Sequence, residues 1–166
     1  MIPNAIVYTS KTGFTRQYAH LLGKKLGLPV YSLEDAAYGL GQGTGVIYLG
    51  WIHASSVQGF RKASRRFSVL AVCGVGLCDT GTMTDQVRKT TGIPGEIPLF
   101  TLQGGFDRSK LRGLDKLLIA MLVKGLSSQT QPTEQDARML ELLCQDGNYV
   151  REENLKPFLD WYGMKE

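Results

Sequence analysis

Seven residues near the start of the chain, Thr9, Ser10, Lys11, Thr12, Gly13, Phe14 and Thr15, have the types and spacing to hold an anion. An apolar run ending in Ile6, Val7 and Tyr8 leads into them, and a helical pattern with Tyr18 and Ala19 follows. Backbone N–H groups at a helix N-terminus lack intrahelical partners, and the helix dipole adds partial positive charge there. A phosphate held by those amides and by the hydroxyls of Ser10, Thr12 and Thr15 is therefore well accommodated, and Gly13 lets the turn close around it. An ordinary Ser/Thr cap accounts for one hydroxyl, not for the whole group beside a glycine.

The elements that must position this turn alternate along the chain. Apolar runs predict strands over 5–9, 30–33, 46–50, 69–74 and 97–102, and helical periodicity predicts helices over 14–26, 57–67, 84–91 and 153–162. This is the pattern of an α/β fold, a doubly wound, five-stranded parallel sheet of order 2-1-3-4-5 with helices on both faces. Ligands bind such sheets outside the carboxyl ends of the strands, at the switch point between strands one and three. The loops over 10–15, 50–56 and 74–81 converge there. A single domain over 1–166 is expected, with an extra helical segment over 104–145 after the fifth strand.

Bulk properties exclude several classes of function. With 166 residues the chain suits one core, and its three cysteines, Cys73, Cys78 and Cys144, are odd in number and lie in or near apolar runs. A reduced, cytoplasmic setting is the expectation, with no zinc site, because Cys73 and Cys78 have no further cysteine pair or histidine near them. The formal net charge of +4 favours an acidic protein partner, an anionic membrane surface or an anionic substrate. The charges are scattered and no recognition motif is present, so nucleic acid is not expected as a partner. The glycine-dense stretch 39–45 precedes a strand rather than following one, which makes it a turn and not a dinucleotide fingerprint. A receiver-type module needs an Asp at the end of the third strand, where Gly50 stands. A cysteine phosphatase needs an Arg six residues after its nucleophile, where Cys73 is followed by Asp79.

Ile6, Val7, Tyr8, Ser10, Gly13, Thr15 and Ala19 also match, position for position, the N-terminal pattern of flavodoxins, and the chain resembles that family. The resemblance implies a flavodoxin-like fold and FMN as owner of the phosphate. It further implies that Trp51, Ile52, His53, Ala54 and Ser55 run along one side of the isoalloxazine ring, and that Gly74, Val75, Gly76 and Leu77 flank the other. A flavin needs flat apolar contact, backbone groups for its pyrimidine edge and little bulk where the backbone comes close. Gly74 and Gly76 supply close approach, and Trp51, Ile52 or His53 the contact. Strand alternation turns one of Trp51 and Ile52 inwards. The cofactor carries the chemistry, so no catalytic residue is named.

The segment after the fifth strand is unlike a plain electron carrier. Residues 111–126 form a strongly apolar helical pattern bordered by Lys110, Arg112, Lys116 and Lys124, with an uninterrupted apolar run over 117–123, far short of the roughly twenty residues that span a bilayer. Its plainest reading is a helix packed on the sheet and against 134–143; the alternatives are a surface for anionic lipid or for a second subunit, as a homodimer. Gly104, Gly105, Phe106 and Asp107, the Lys- and Leu-rich helix, and a closing segment over 154–162 resemble the flavodoxin-domain proteins related to the flavodoxin-like protoporphyrinogen oxidase of bacteria. That resemblance implies an FMN-dependent oxidoreductase with a porphyrinogen or quinone partner, peripheral at the inner face of the membrane. The chain departs from that oxidase in being short over 76–92, where the oxidase has a long basic insertion. An electron-carrier flavodoxin with a redox-protein partner, and a flavin-free interaction or regulatory module, are the alternatives.

Overall fold

The computed structural model describes residues 2–163, which hold all of the expected domain except its first residue and its last three. Its central sheet has the strand order β2-β1-β3-β5-β6, formed by β1 (Ala5–Thr9), β2 (Val30–Ser32), β3 (Gly45–His53), β5 (Ser68–Gly76) and β6 (Leu99–Gln103). All pairs along this path are parallel. Skipping the short β4 (Ser56–Val57), this is the expected order 2-1-3-4-5. The sheet has six strands rather than five, because β4 folds back antiparallel on β3, Ile52 opposite Val57 and His53 opposite Ser56.

Side chains alternate across the strands, so each face of the sheet carries its own buried cluster. On one face Val7, Val46, Tyr48 and Val72 pack with Ala36 of α2 (Leu33–Gly39), Phe60 and Ala63 of α3 (Phe60–Arg66) and Val87 of α4 (Thr84–Thr91). On the other, Ile6, Ile47, Leu49 and Cys73 pack with Tyr18 and Leu22 of α1 (Phe14–Leu26) and Phe158 of α7 (Lys156–Gly163). Cys73 is fully buried in this cluster, and burial pushes its thiol up. The Tyr18 hydroxyl donates to the Gln103 carbonyl at 2.5 Å and accepts from Asn154 Nδ2 at 2.7 Å. This bond ties α1, and hence the turn that opens it, to the end of β6.

Several boundaries differ from those the sequence predicts, each for a tertiary reason. β3 runs on to His53, so Trp51, Ile52 and His53 are strand residues and not loop residues; β4 supplies the pairing beyond the end of β1. The third helix starts at Phe60 instead of 57, since Val57 belongs to β4 and Gly59 turns the chain with φ +80°. β2 ends at Ser32, whose hydroxyl caps α2 by accepting from the Asp35 amide at 3.1 Å. α2 itself lies where no element is expected. The last helix begins with a 3₁₀ turn over Glu152–Leu155.

The largest difference concerns α5 (Leu114–Ser127) and α6 (Glu134–Cys144). α5 does not pack on the sheet, for none of its residues is buried. Ile119, Val123 and Leu126 form its half-buried inner face. α5 lies against α6, which buries Leu142 and Leu143. The whole excursion leaves the core through β7 (Gly105–Phe106) and returns through β8 (Gly147–Asn148), which pair antiparallel. A space remains between these two helices and the strand ends.

Candidate functional site

That space is a cavity of about 610 Å³ at the carboxyl ends of β1, β3, β5 and β6, well within the roughly 300–1,000 Å³ of small-molecule sites. Val75 and Leu102 line it on the sheet side, and Leu118, Ile119, Leu122, Met139 and Leu143 on the helical side. The turn after β1 forms one end of it. There the Ser10 hydroxyl accepts from the Gly13 amide at 3.1 Å, and Gly13, with φ +100°, starts α1. The amides of Phe14, Thr15 and Arg16 in the first turn of α1 have no intrahelical acceptor. Thr15 is only 1% exposed and lines the cavity, and its hydroxyl bonds to no other described residue. A hydroxyl that opens on the cavity without a protein partner, beside free helix amides, is an arrangement an anion can complete.

Two lysines border this turn. Lys110 Nζ donates to the Thr12 carbonyl at 2.9 Å and lies 3.4 Å from Asp107 Oδ2. Lys11 is paired with Asp115 of α5, and its ammonium stands 5.0 Å from the centre of the Trp51 ring. The middle of the turn, at Lys11 and Thr12, is thus fastened to the excursion after β7.

Of the residues that the sequence points to, Lys11, Thr12, Phe14, Thr15, Trp51, Ile52, His53, Ala54, Ser55, Val75, Gly76 and Leu77 all line the cavity. Thr9, Ser10, Gly13 and Gly74 do not, and each supports instead. Thr9 shares a 2.8 Å hydrogen bond with the Tyr48 hydroxyl, which donates to the Gln58 carbonyl at 2.7 Å. At Gly74 an added Cβ would stand 3.0 Å from Ile52 Cδ1, so the glycine leaves room for Ile52 and not for a ligand. Of Trp51 and Ile52, Ile52 is the one that turns inwards, packing on the buried cluster, whereas Trp51 borders His53 at a ring distance of 5.5 Å.

Backbone strain concentrates at the same place. Among the described residues the non-glycine positions with positive φ are Ala54 (47°), Ser55 (59°) and Met83 (58°), and all three line the cavity. Ala54 and Ser55 form the two-residue loop between β3 and β4, a turn for which Asn-Gly is the usual choice. Strain of this kind collects at binding sites, where surrounding structure enforces it. Ala54→Asn, which relieves the left-handed conformation at one of the two positions, is expected to stabilise the protein by about 0.5–1 kcal/mol. Urea unfolding checks this; unchanged stability would mean that Ala54 carries no strain.

The loop 77–82 is pinned across from that turn. Gln103 Nε2 donates to the Leu77 carbonyl at 3.2 Å, the Gly81 amide to the Thr101 carbonyl at 2.9 Å, and the Thr101 hydroxyl to the Thr82 carbonyl at 2.8 Å. Cys78 lines the cavity from this loop, and burial, then the neighbouring Asp79 carboxylate, push its thiol up, which disfavours the nucleophilic thiolate. No group of three potential metal ligands gathers among the described residues. Sequence reasoning missed Lys110, Asp115, Leu118, Leu122, Met139 and Leu143 as site residues. For Leu118 and Leu122 the signal was the apolar stripe over 111–126, which is wider than one packing face needs; the other four gave none.

No family model, curated protein or solved structure matches the chain. What the site does must therefore be argued from its own chemistry.

Proposed function

We propose that this chain is a flavodoxin-like redox protein that binds FMN in the cavity, with the phosphate on the turn Ser10–Thr15 and the ring between the hairpin residues 51–55 and the strand end 74–77. The observation that carries the reading is the Thr15 hydroxyl, which opens on the cavity with no protein partner among the described residues and stands beside the free amides of α1 at the end of a largely apolar slot. Gly76 and Gly104 fit the group as well. Both line the slot and add no side-chain bulk to it. FMN, when bound, supplies hydride or single-electron exchange. The chain's own residues would bind and orient it: Thr12 and Thr15 donate to phosphate oxygens, Lys110 adds positive charge, and Trp51 offers a flat face. The aliphatic residues of α5 and α6 exclude water from the far side.

That aliphatic wall favours an oxidoreductase over an electron carrier, because it lines more space than an electron carrier with an exposed ring edge requires. A flat apolar reductant or oxidant of the quinone or porphyrinogen class suits it. The test is a visible spectrum of the purified protein, followed by titration of flavin-stripped protein with FMN and riboflavin. Preference for FMN supports the phosphate turn; failure to bind either flavin would overturn the reading. One consequence concerns Lys11. Asp115→Asn is expected to release its ammonium towards the phosphate and to tighten FMN binding by about two- to five-fold, a modest gain because the pair is partly exposed to water. The same titration reads it, and riboflavin affinity is expected to stay unchanged.

A further inference from the structure

α3 carries four cations in six consecutive positions, Arg61, Lys62, Arg65 and Arg66. Its Phe60 and Ala63 pack on the sheet, which leaves all four cations exposed on the outward side. None of them lies within ion-pair distance of an acid among the described residues. The stability of the helix does not call for this arrangement. Arg65 and Arg66 stand in the last turn, where the helix dipole favours cations, but Arg61 and Lys62 stand in the first turn, where it opposes them and no acid offsets them. Arg61 and Arg65 are also four residues apart, a spacing that sets like charges side by side. Next to this patch Tyr38 of α2 is 94% exposed. The two helices are tied there, because Arg66 donates to the carbonyl of Ala37, the residue before Tyr38. Neither Tyr38 nor any residue of α3 lines the cavity.

We propose that the surface formed by Tyr38, Arg61, Lys62 and Arg65 is a docking site for an acidic segment of a partner protein. It is separate from the cavity and stands whether or not FMN binds there. Charges that work against their own helix are offset when carboxylates of a partner face them, and such complementarity steers encounter and fixes register. Arg and Tyr are also the side chains that most often anchor protein interfaces. Nucleic acid fits less well. A strand-binding surface follows the phosphate backbone along a groove, whereas these cations occupy one helix of seven residues, and the adjoining α2 exposes Glu34 and Asp35, which would repel a polyanion running past it.

Fluorescence anisotropy of a labelled oligoglutamate peptide, titrated with the full chain, tests this, with a labelled oligouridine strand as the second probe. Binding of oligoglutamate that weakens with salt is expected. R61Q/K62Q is expected to weaken it by about five-fold, and Y38S, which removes a phenol able to donate to a carboxylate, by about three-fold. K24Q/K124Q removes the same charge from exposed positions on α1 and α5, and is expected to change it by less than about two-fold. R61Q/K62Q is also expected to unfold at no lower a temperature than the parent, since the charges it removes oppose the helix dipole. A peptide that does not bind would overturn the proposal, as would equal losses in the two lysine-containing double variants or tighter binding of oligouridine than of oligoglutamate. Earlier unfolding of R61Q/K62Q would overturn it too, by giving Arg61 and Lys62 a structural role.

Discussion

Replacing Thr12 and Thr15 together by valine is expected to weaken FMN binding by about a hundred-fold or more while leaving riboflavin affinity within about two-fold. Each hydroxyl would donate a charge-assisted hydrogen bond to a phosphate oxygen, worth roughly 1.5–3 kcal/mol in such settings. Valine keeps the shape of threonine, and Thr15 makes no hydrogen bond to another described residue through its hydroxyl, so little stability is at stake. The contrast between the two flavins is what matters, because they differ in the phosphate. Equal losses for both would place the phosphate elsewhere, and no loss for either would end the assignment of the turn.

Gly59→Ala is expected to be the most damaging small change to the framework beneath the site, costing about 3–5 kcal/mol of stability. Gly59 has φ +80°, and an added Cβ would stand 2.2 Å from the Tyr48 hydroxyl and 2.6 Å from the Thr9 hydroxyl. Tyr48 is fully buried and cannot retreat, and its hydroxyl joins β1 to the segment after β4 through Thr9 and Gln58. The added methyl would break that junction just below the hairpin carrying Trp51 and His53. Urea unfolding measures the loss, with Gly95→Ala as the control, since a Cβ there meets nothing within 4 Å. A Gly59→Ala protein within about 1 kcal/mol of the parent would mean that the backbone relaxes freely at this point.

Those parts of the architecture that depend on local pattern were legible in the sequence. The strand–turn–helix at the N-terminus declares itself through Ile6 and Val7, Gly13 and the periodic Tyr18 and Leu22, and the order of the main strands follows from alternation. The hairpin was not legible. Its turn is Ala54-Ser55, which lacks the Asn or Gly that normally announces positive φ, so the extension of β3 to His53 rests on pairing with β4. α2 escaped notice because it is seven residues long and buries only Leu33 and Ala36. The position of α5 depends on β7 and β8 finding each other across forty intervening residues, for which Gly105 and Phe106 give no local sign. The wall that these helices add to the cavity was therefore hidden, although its apolar stripe was plain.

The pairing of β7 with β8 has one more consequence. Phe106 and Gly147 are register partners, so the chain leaves and re-enters the framework at a single point. Everything over 107–146 is topologically a cassette, replaceable by the two residues of a tight hairpin without cutting a strand of the central sheet. The turn over 10–15 and the strand ends at 51–55 and 74–77 lie outside the cassette, and the aliphatic wall lies within it. The aliphatic wall of the cavity can thus be exchanged, by evolution or by design, as one piece of sequence while the central sheet is kept.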